Sequence, residues 1–159
     1  MNAEALQGQI SRLYSSLAEI AGNIDYIRDE LPRLAIPNVE RLRVENACAK
    51  FAWTVYDVRK EIRNLEDKLG LHPGEEPFDP GIINPDPRVT MNFISDWLLT
   101  EIEAMHQTVV HLENLSKETA ALGIVYILVT ESATNILNAF STVQDTLGSI
   151  GAHLERKGA

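Results

Sequence analysis

The stretch Val44–Leu69 reads VENACAKFAWTVYDVRKEIRNLEDKL. Its apolar residues Val44, Cys48, Phe51, Val55, Val58, Ile62, Leu65 and Leu69 are spaced 4, 3, 4, 3, 4, 3 and 4 apart, the heptad spacing of a helix with one continuous apolar seam. A second set, Leu42, Ala49, Trp53 and Tyr56, repeats at intervals of 7, 4 and 3. At about 100° per residue this set falls roughly opposite the seam. A helix that is apolar on two opposite faces builds a core with one and meets something else with the other.

The same spacing extends to both sides. Leu6, Ile10, Leu13, Leu17, Ile20, Ile24, Ile27 and Leu31 repeat at 4, 3, 4, 3, 4, 3 and 4, and polar residues occupy much of the rest of that segment. Pro32 and Pro37 bracket the connection to the next helix, with Asn38 as its expected N-cap. Gly70 stands where a helix C-terminus calls for a left-handed residue. Leu71–Pro87 carries Pro73, Pro77, Pro80, Pro85 and Pro87, which excludes a helix. The expected role of this connection is a stiff crossover, or a cover for Val89, Phe93 and Trp97 through Phe78, Ile82 and Ile83. Asp86 and Pro87 then form a capping pair that opens the third helix.

The third seam, Met91, Ile94, Leu98, Ile102, Met105, Val109 and Leu112, contains a doubled step of 4 at Leu98–Ile102. The fourth, Leu122, Val125, Val129, Ala133, Ile136, Phe140, Val143, Leu147, Ile150 and Leu154, doubles the same step at Val129–Ala133. No proline separates the two. Ser116 as a cap or Gly123 as a stop would divide them, and a single helix from Pro87 to Leu154 is the alternative. The pattern therefore predicts an all-α fold, an antiparallel four-helix bundle in a single domain over 1–159. Its expected helices are 2–31, 38–69, 87–115 and 118–155, with the long Pro-rich connection between the second and third. Phe51, Val55, Ile24, Leu98, Ile102 and Ile136 are the expected centre of the core.

Composition narrows the function classes. The formal net charge of −9 argues against nucleic-acid binding, and the basic residues around Arg41 and Arg59 alternate with Glu40, Glu45, Glu61 and Glu66 as on a solvated helix flank. A lone cysteine, Cys48, sits on the seam and cannot form an intramolecular disulfide. Residues 1–9 lack the pattern of a signal peptide, and the apolar run Ala120–Val129 is too short to span a bilayer. The expectation is a cytoplasmic protein with no membrane span.

Glu103 and His106 have the Glu-x-x-His spacing used by bundle di-metal sites, but a site of that kind needs a second copy and further glutamates. They are weak metal candidates, and no cofactor is expected. His106 and His111 lack the small and basic neighbours of a phosphotransfer histidine. Glu101 lies about 60° from the third seam, at the level of Thr54 and Asn135 in a simple antiparallel layout; a buried carboxylate there would be a site candidate. The surplus apolar surface is the stronger signal. Leu42, Trp53 and Tyr56, with Ile124, Ile127 and Leu128 at the start of the fourth helix, are the expected interface. The reading is a non-enzymatic, self-associating helical bundle, a homodimer or a module that meets another protein. The alternative is a metal-, haem- or small-molecule-binding bundle, enzymatic or not, using Glu101, Glu103, His106 or Glu131.

Overall fold

A computed structural model describes residues 2–74 and 86–158. Within them the chain forms four α-helices and no strand: α1 (Ala3–Glu30), α2 (Asn38–Lys68), α3 (Pro87–Leu115) and α4 (Ala120–Gly158). The Pro-rich connection, with Phe78, Ile82 and Ile83, lies outside the described residues.

The helix ends follow local chemistry. Asn2 caps α1, its side-chain oxygen accepting from the Ala5 amide at 2.8 Å. A 3-10 turn, Leu31–Arg33, carries the chain through Pro32. Asn38 is not the cap of α2; it is the first helical residue, and Pro37 holds the cap position without a side-chain bond. Gly70 takes φ 71°, the Gly70 amide bonds the Asp67 carbonyl, and the Leu71 amide reaches back to Glu66. That pair of bonds is a Schellman stop, which only glycine enters without strain. Asp86 caps α3 through the Arg88 amide at 3.0 Å, with Pro87 next to it. The break between α3 and α4 falls at residues 116–119. Ser116 ends α3, its hydroxyl donating to the Glu113 carbonyl. Thr119, rather than Ser116, opens α4 by accepting from the Leu122 amide at 3.2 Å.

The helices form a ring in which α1 touches α2 and α4, and α3 touches α2 and α4. The most extensive of these contacts joins α1 to α4. Contact across the diagonals is marginal at most. Between α2 and α3, Glu40 meets His111, Thr54 meets Glu101 and Lys68 meets Thr90, so numbers rise along one helix as they fall along the other.

All eight seam residues of α1 and its exit are buried, as are all those of α2 except the half-buried Leu69. The doubled steps in the other two seams do not exist. Apart from Thr90 in the first turn, the buried positions in α3 are Met91, Ile94, Leu98, Glu101, Met105, Thr108 and Leu112, an alternation of 3 and 4. Ile102 and Val109 are only half-buried, which corrects the expectation for Ile102. In α4 the alternation runs through Leu122, Val125, Val129, Ser132, Ile136, Ala139, Val143, Thr146, Ile150 and His153. Heptad geometry thus holds through five polar residues, Glu101, Thr108, Ser132, Thr146 and His153, whose apolar neighbours sit beside the seam.

One expectation is overturned by the length of α4. The apolar run does not stop at Val129: Ala133, Ile136, Leu137, Ala139, Phe140 and Val143 continue it with few charges between. The helix Ala120–Arg156 is 37 residues long, and by length and composition it is able to cross a membrane. The exclusion of a membrane span is therefore withdrawn. The same helix places Val125, Val129, Ile136 and Phe140 in the core of the bundle.

Candidate functional site

The outer face of α2 is an apolar surface that the heptad leaves unsatisfied. With Val44, Phe51 and Val58 turned inward, Leu42, Trp53 and Tyr56 point to solvent, with Trp53 68% exposed. Trp53 and Tyr56 meet edge to face at 6.2 Å between ring centroids, and Lys60 Nζ lies 4.3 Å from the Tyr56 centroid. These contacts hold the rings as a rigid ridge at little entropic cost. Ile124 and Ile127 on α4 are exposed as well. They do not extend that ridge, because α2 and α4 occupy diagonal corners of the ring and their outward faces point apart. Leu128 does not join either surface; it is buried.

Behind the ridge, the inner wall of α2 carries Cys48, with no solvent exposure. Burial pushes its thiol up to about 11, so the thiolate is disfavoured. Labelling by an aromatic disulfide at pH ~8 is expected to be at least about 1,000 times slower in native buffer than in denaturant, since it must wait for opening. Comparable rates in the two conditions would show that Cys48 is outside the core.

Glu101 is the polar seam residue with the most chemical content. It is buried between α2 and α3, and its Oε1 accepts from Thr54 Oγ1 at 3.2 Å. The predicted neighbour Thr54 is therefore in place. Asn135 is not; it bonds Asn23 of α1 at 3.2 Å instead.

Glu103, His106 and Glu131 are exposed and do not converge. Glu103 and His106 border a groove of about 560 Å³ between α3 and α4, floored by Ile102, Met105, Ala133 and Ile136. The small Ala133 beside Ser132 leaves this space open. No group of three His, Cys, Asp or Glu side chains able to hold a metal occurs among the described residues. His111 is half-buried, 3.3 Å from Glu40, and has the setting of a packing contact rather than of an exposed phosphoacceptor.

A second polar cluster was not legible in the sequence. Glu66, expected on a solvated flank, is 6% exposed. Its Oε2 accepts from Arg63 Nη1 at 3.0 Å and from His72 Nε2, and Tyr14 of α1 donates its hydroxyl to the same carboxylate. Burial acts to raise the carboxyl pKa, but the bonds from His72, Tyr14 and Arg63 outweigh it and hold it below the usual range. Burial, followed by the bond to Glu66, raises the Tyr14 phenol well above its ordinary value. With three donors from three segments on one carboxylate, the cluster reads as a clasp between α1, the end of α2 and the turn beyond it. The one local signal is that Glu66 follows Leu65 at the last full turn before the Gly70 stop.

No family model matches the chain, and comparison with curated proteins and solved structures gives no match either.

Proposed function

We propose that this chain is a non-enzymatic interaction module, an antiparallel four-helix bundle that self-associates through the outer face of α2. The opposed numbering of the bonds between α2 and α3 supports the antiparallel order. The observation that carries the functional reading is Trp53, 68% exposed at the middle of a helix whose other face is fully committed to the core. Large aromatics of this kind dominate the energetics of interfaces. Two copies that bury about 600 Å² of apolar area between them gain on the order of 15 kcal/mol. Association costs roughly 4–15 kcal/mol, so the ridge alone is enough for a dimer only if Trp53 packs well. A twofold arrangement sets α2 against its own mate, since isologous contacts use one patch twice.

Sedimentation of the wild type at tens of micromolar is expected to give a dimer. Trp53→Glu is expected to give a folded monomer with unchanged helical circular dichroism. A monomeric wild type sinks the proposal. So does a variant that unfolds, because Trp53 would then be covered by its own chain. The groove between α3 and α4 favours a second reading, a small-molecule-binding bundle, in which a ligand rather than a second copy meets the exposed surface.

A further inference from the structure

The outer face of α2 is a second heptad stripe. Leu42, Asn46, Ala49, Trp53, Tyr56 and Lys60 step 4, 3, 4, 3 and 4, and all are exposed except the half-buried Ala49. Its two halves differ in size. Bulk is concentrated in Trp53, Tyr56 and Lys60, whereas Asn46 and Ala49 are small. The flanks differ in charge. Glu45, Ala52 and Arg59 run along the side turned toward α1, where Arg59 shares a groove with Tyr14. Arg43, Lys50 and Asp57 run along the side turned toward α3, where Asp57 shares a groove with Trp97 and Thr100. Each flank thus changes sign from one half of the helix to the other, and the two do so in opposite senses. Among the described residues Glu45, Asp57 and Arg59 have no opposite charge within 4.0 Å.

A surface whose halves complement each other is completed by its own copy turned end for end. Trp53 placed over the partner's Ala49 sets the largest side chain of the stripe in the hollow left by a methyl group. Tyr56 then falls on the partner's Asn46, and the Lys60 stem on the partner's Leu42. In that register Glu45 faces the partner's Arg59 and Arg43 faces the partner's Asp57, each twice by symmetry. The like-charge meeting at the centre, Lys50 with the partner's Lys50, lies on the exposed rim, where both side chains turn to water. Other alignments lose the match. A parallel pair stacks Lys60 on the partner's Lys60 and leaves Ala49 opposite the partner's Ala49. Sliding the antiparallel pair by one heptad either sets Arg43 against the partner's Lys50 or moves Trp53 onto the partner's Tyr56.

Resting on self-association through α2, we propose that the two copies pair antiparallel, with Trp53 of each seated on the partner's Ala49. The Glu45–Arg59 and Arg43–Asp57 pairs across the interface set its direction and register.

Charge exchange tests this, because Glu45 and Arg59 stand two heptads apart, about 21 Å along their own helix, and cannot meet within one chain. By sedimentation equilibrium at low salt, Arg59→Glu and Glu45→Arg are each expected to weaken the dimer roughly tenfold, with helical circular dichroism unchanged. The double variant is expected to return to within about threefold of wild type, since the two charges trade places. Asn46→Cys under oxidising conditions is expected to stay without a covalent dimer. Antiparallel pairing holds the two Asn46 positions about 15 Å apart along the helix, and the enclosed Cys48 takes no part. A monomeric wild type overturns self-association and this register together. A dimer that Trp53→Glu dissociates but Arg59→Glu does not, or one that the double variant fails to restore, overturns the register and leaves self-association standing. A disulfide-linked dimer of Asn46→Cys overturns the antiparallel direction.

Discussion

Phe51→Ala is expected to destabilise the bundle by about 3–5 kcal/mol, the range for truncating a buried aromatic. Phe51 is 1% exposed and is among the largest side chains fully enclosed by the core. It lies in the middle of α2, one heptad step from Cys48 and one from Val55, both also buried. Neither end of the helix is near enough to relax into the space left by the ring. The cost therefore includes both the lost transfer of the ring out of water and an unfilled cavity. Urea denaturation followed by circular dichroism should show the midpoint fall with the slope unchanged. In a chain of this size the melting temperature should drop by roughly 6–20 °C. A change below about 1 kcal/mol would mean that the α2 seam does not face the core.

The second large effect is at the Glu66 clasp. Glu66→Ala removes the common acceptor of Tyr14, Arg63 and His72 and strands a half-buried phenol. Hydrogen bonds to charged groups contribute about 1.5–3 kcal/mol each before the freed donors find water, so a net loss of about 2–4 kcal/mol near neutral pH is expected. The pH dependence follows from the direction of the shift. The folded carboxyl titrates below its unfolded value of about 4.3, so its contribution is complete above that pH and is lost as pH falls through the folded value. Stability of the wild type should thus decline on acidification below pH ~4.5 more steeply than that of Glu66→Gln, which has no proton to gain. Parallel curves for the two proteins would remove Glu66 as a source of acid sensitivity. At alkaline pH the sign reverses for Cys48. Its raised thiol contributes stability that is present below the unfolded value of about 8.5 and is lost as pH rises toward 11.

The seams of α1 and α2 were legible because nearly every position on them is aliphatic or aromatic, so counting apolar residues and following the heptad give one answer. In α3 and α4 the two procedures part. Ile102 stands beside Glu101, and Ala133 beside Ser132, and a count of apolar residues steps to the wrong one. Backbone geometry does not make that step, because 3.5 residues per seam turn must be kept against neighbours that keep it too. Strict alternation of 3 and 4 through the polar residues would have placed both inside. The surface ridge of α2 was likewise readable from spacing. Its combination with Ile124 and Ile127 was not, since which helices sit diagonally is decided by tertiary packing rather than by any one helix. Glu66 was hidden for a related reason. Its partner Tyr14 lies on another helix, and no local pattern announces a bond of that sequence separation.

The broad seat of α1 on α4 has a consequence for how the chain is made. More than a hundred residues separate Ala3 from Ala120, and at roughly 5–20 residues per second the ribosome needs about 6–23 s to deliver the second after the first. For that interval Ile10, Ile20, Ile24 and Ile27 have emerged without their largest partner, and the first three helices can offer α1 only the narrower flank of α2. Closure of the ring is a late, long-range event of high contact order, not a zipper that runs from one end. A transcript cut short anywhere before α4 yields not a smaller bundle but an apolar trough, the kind of product that chaperones hold and proteases clear.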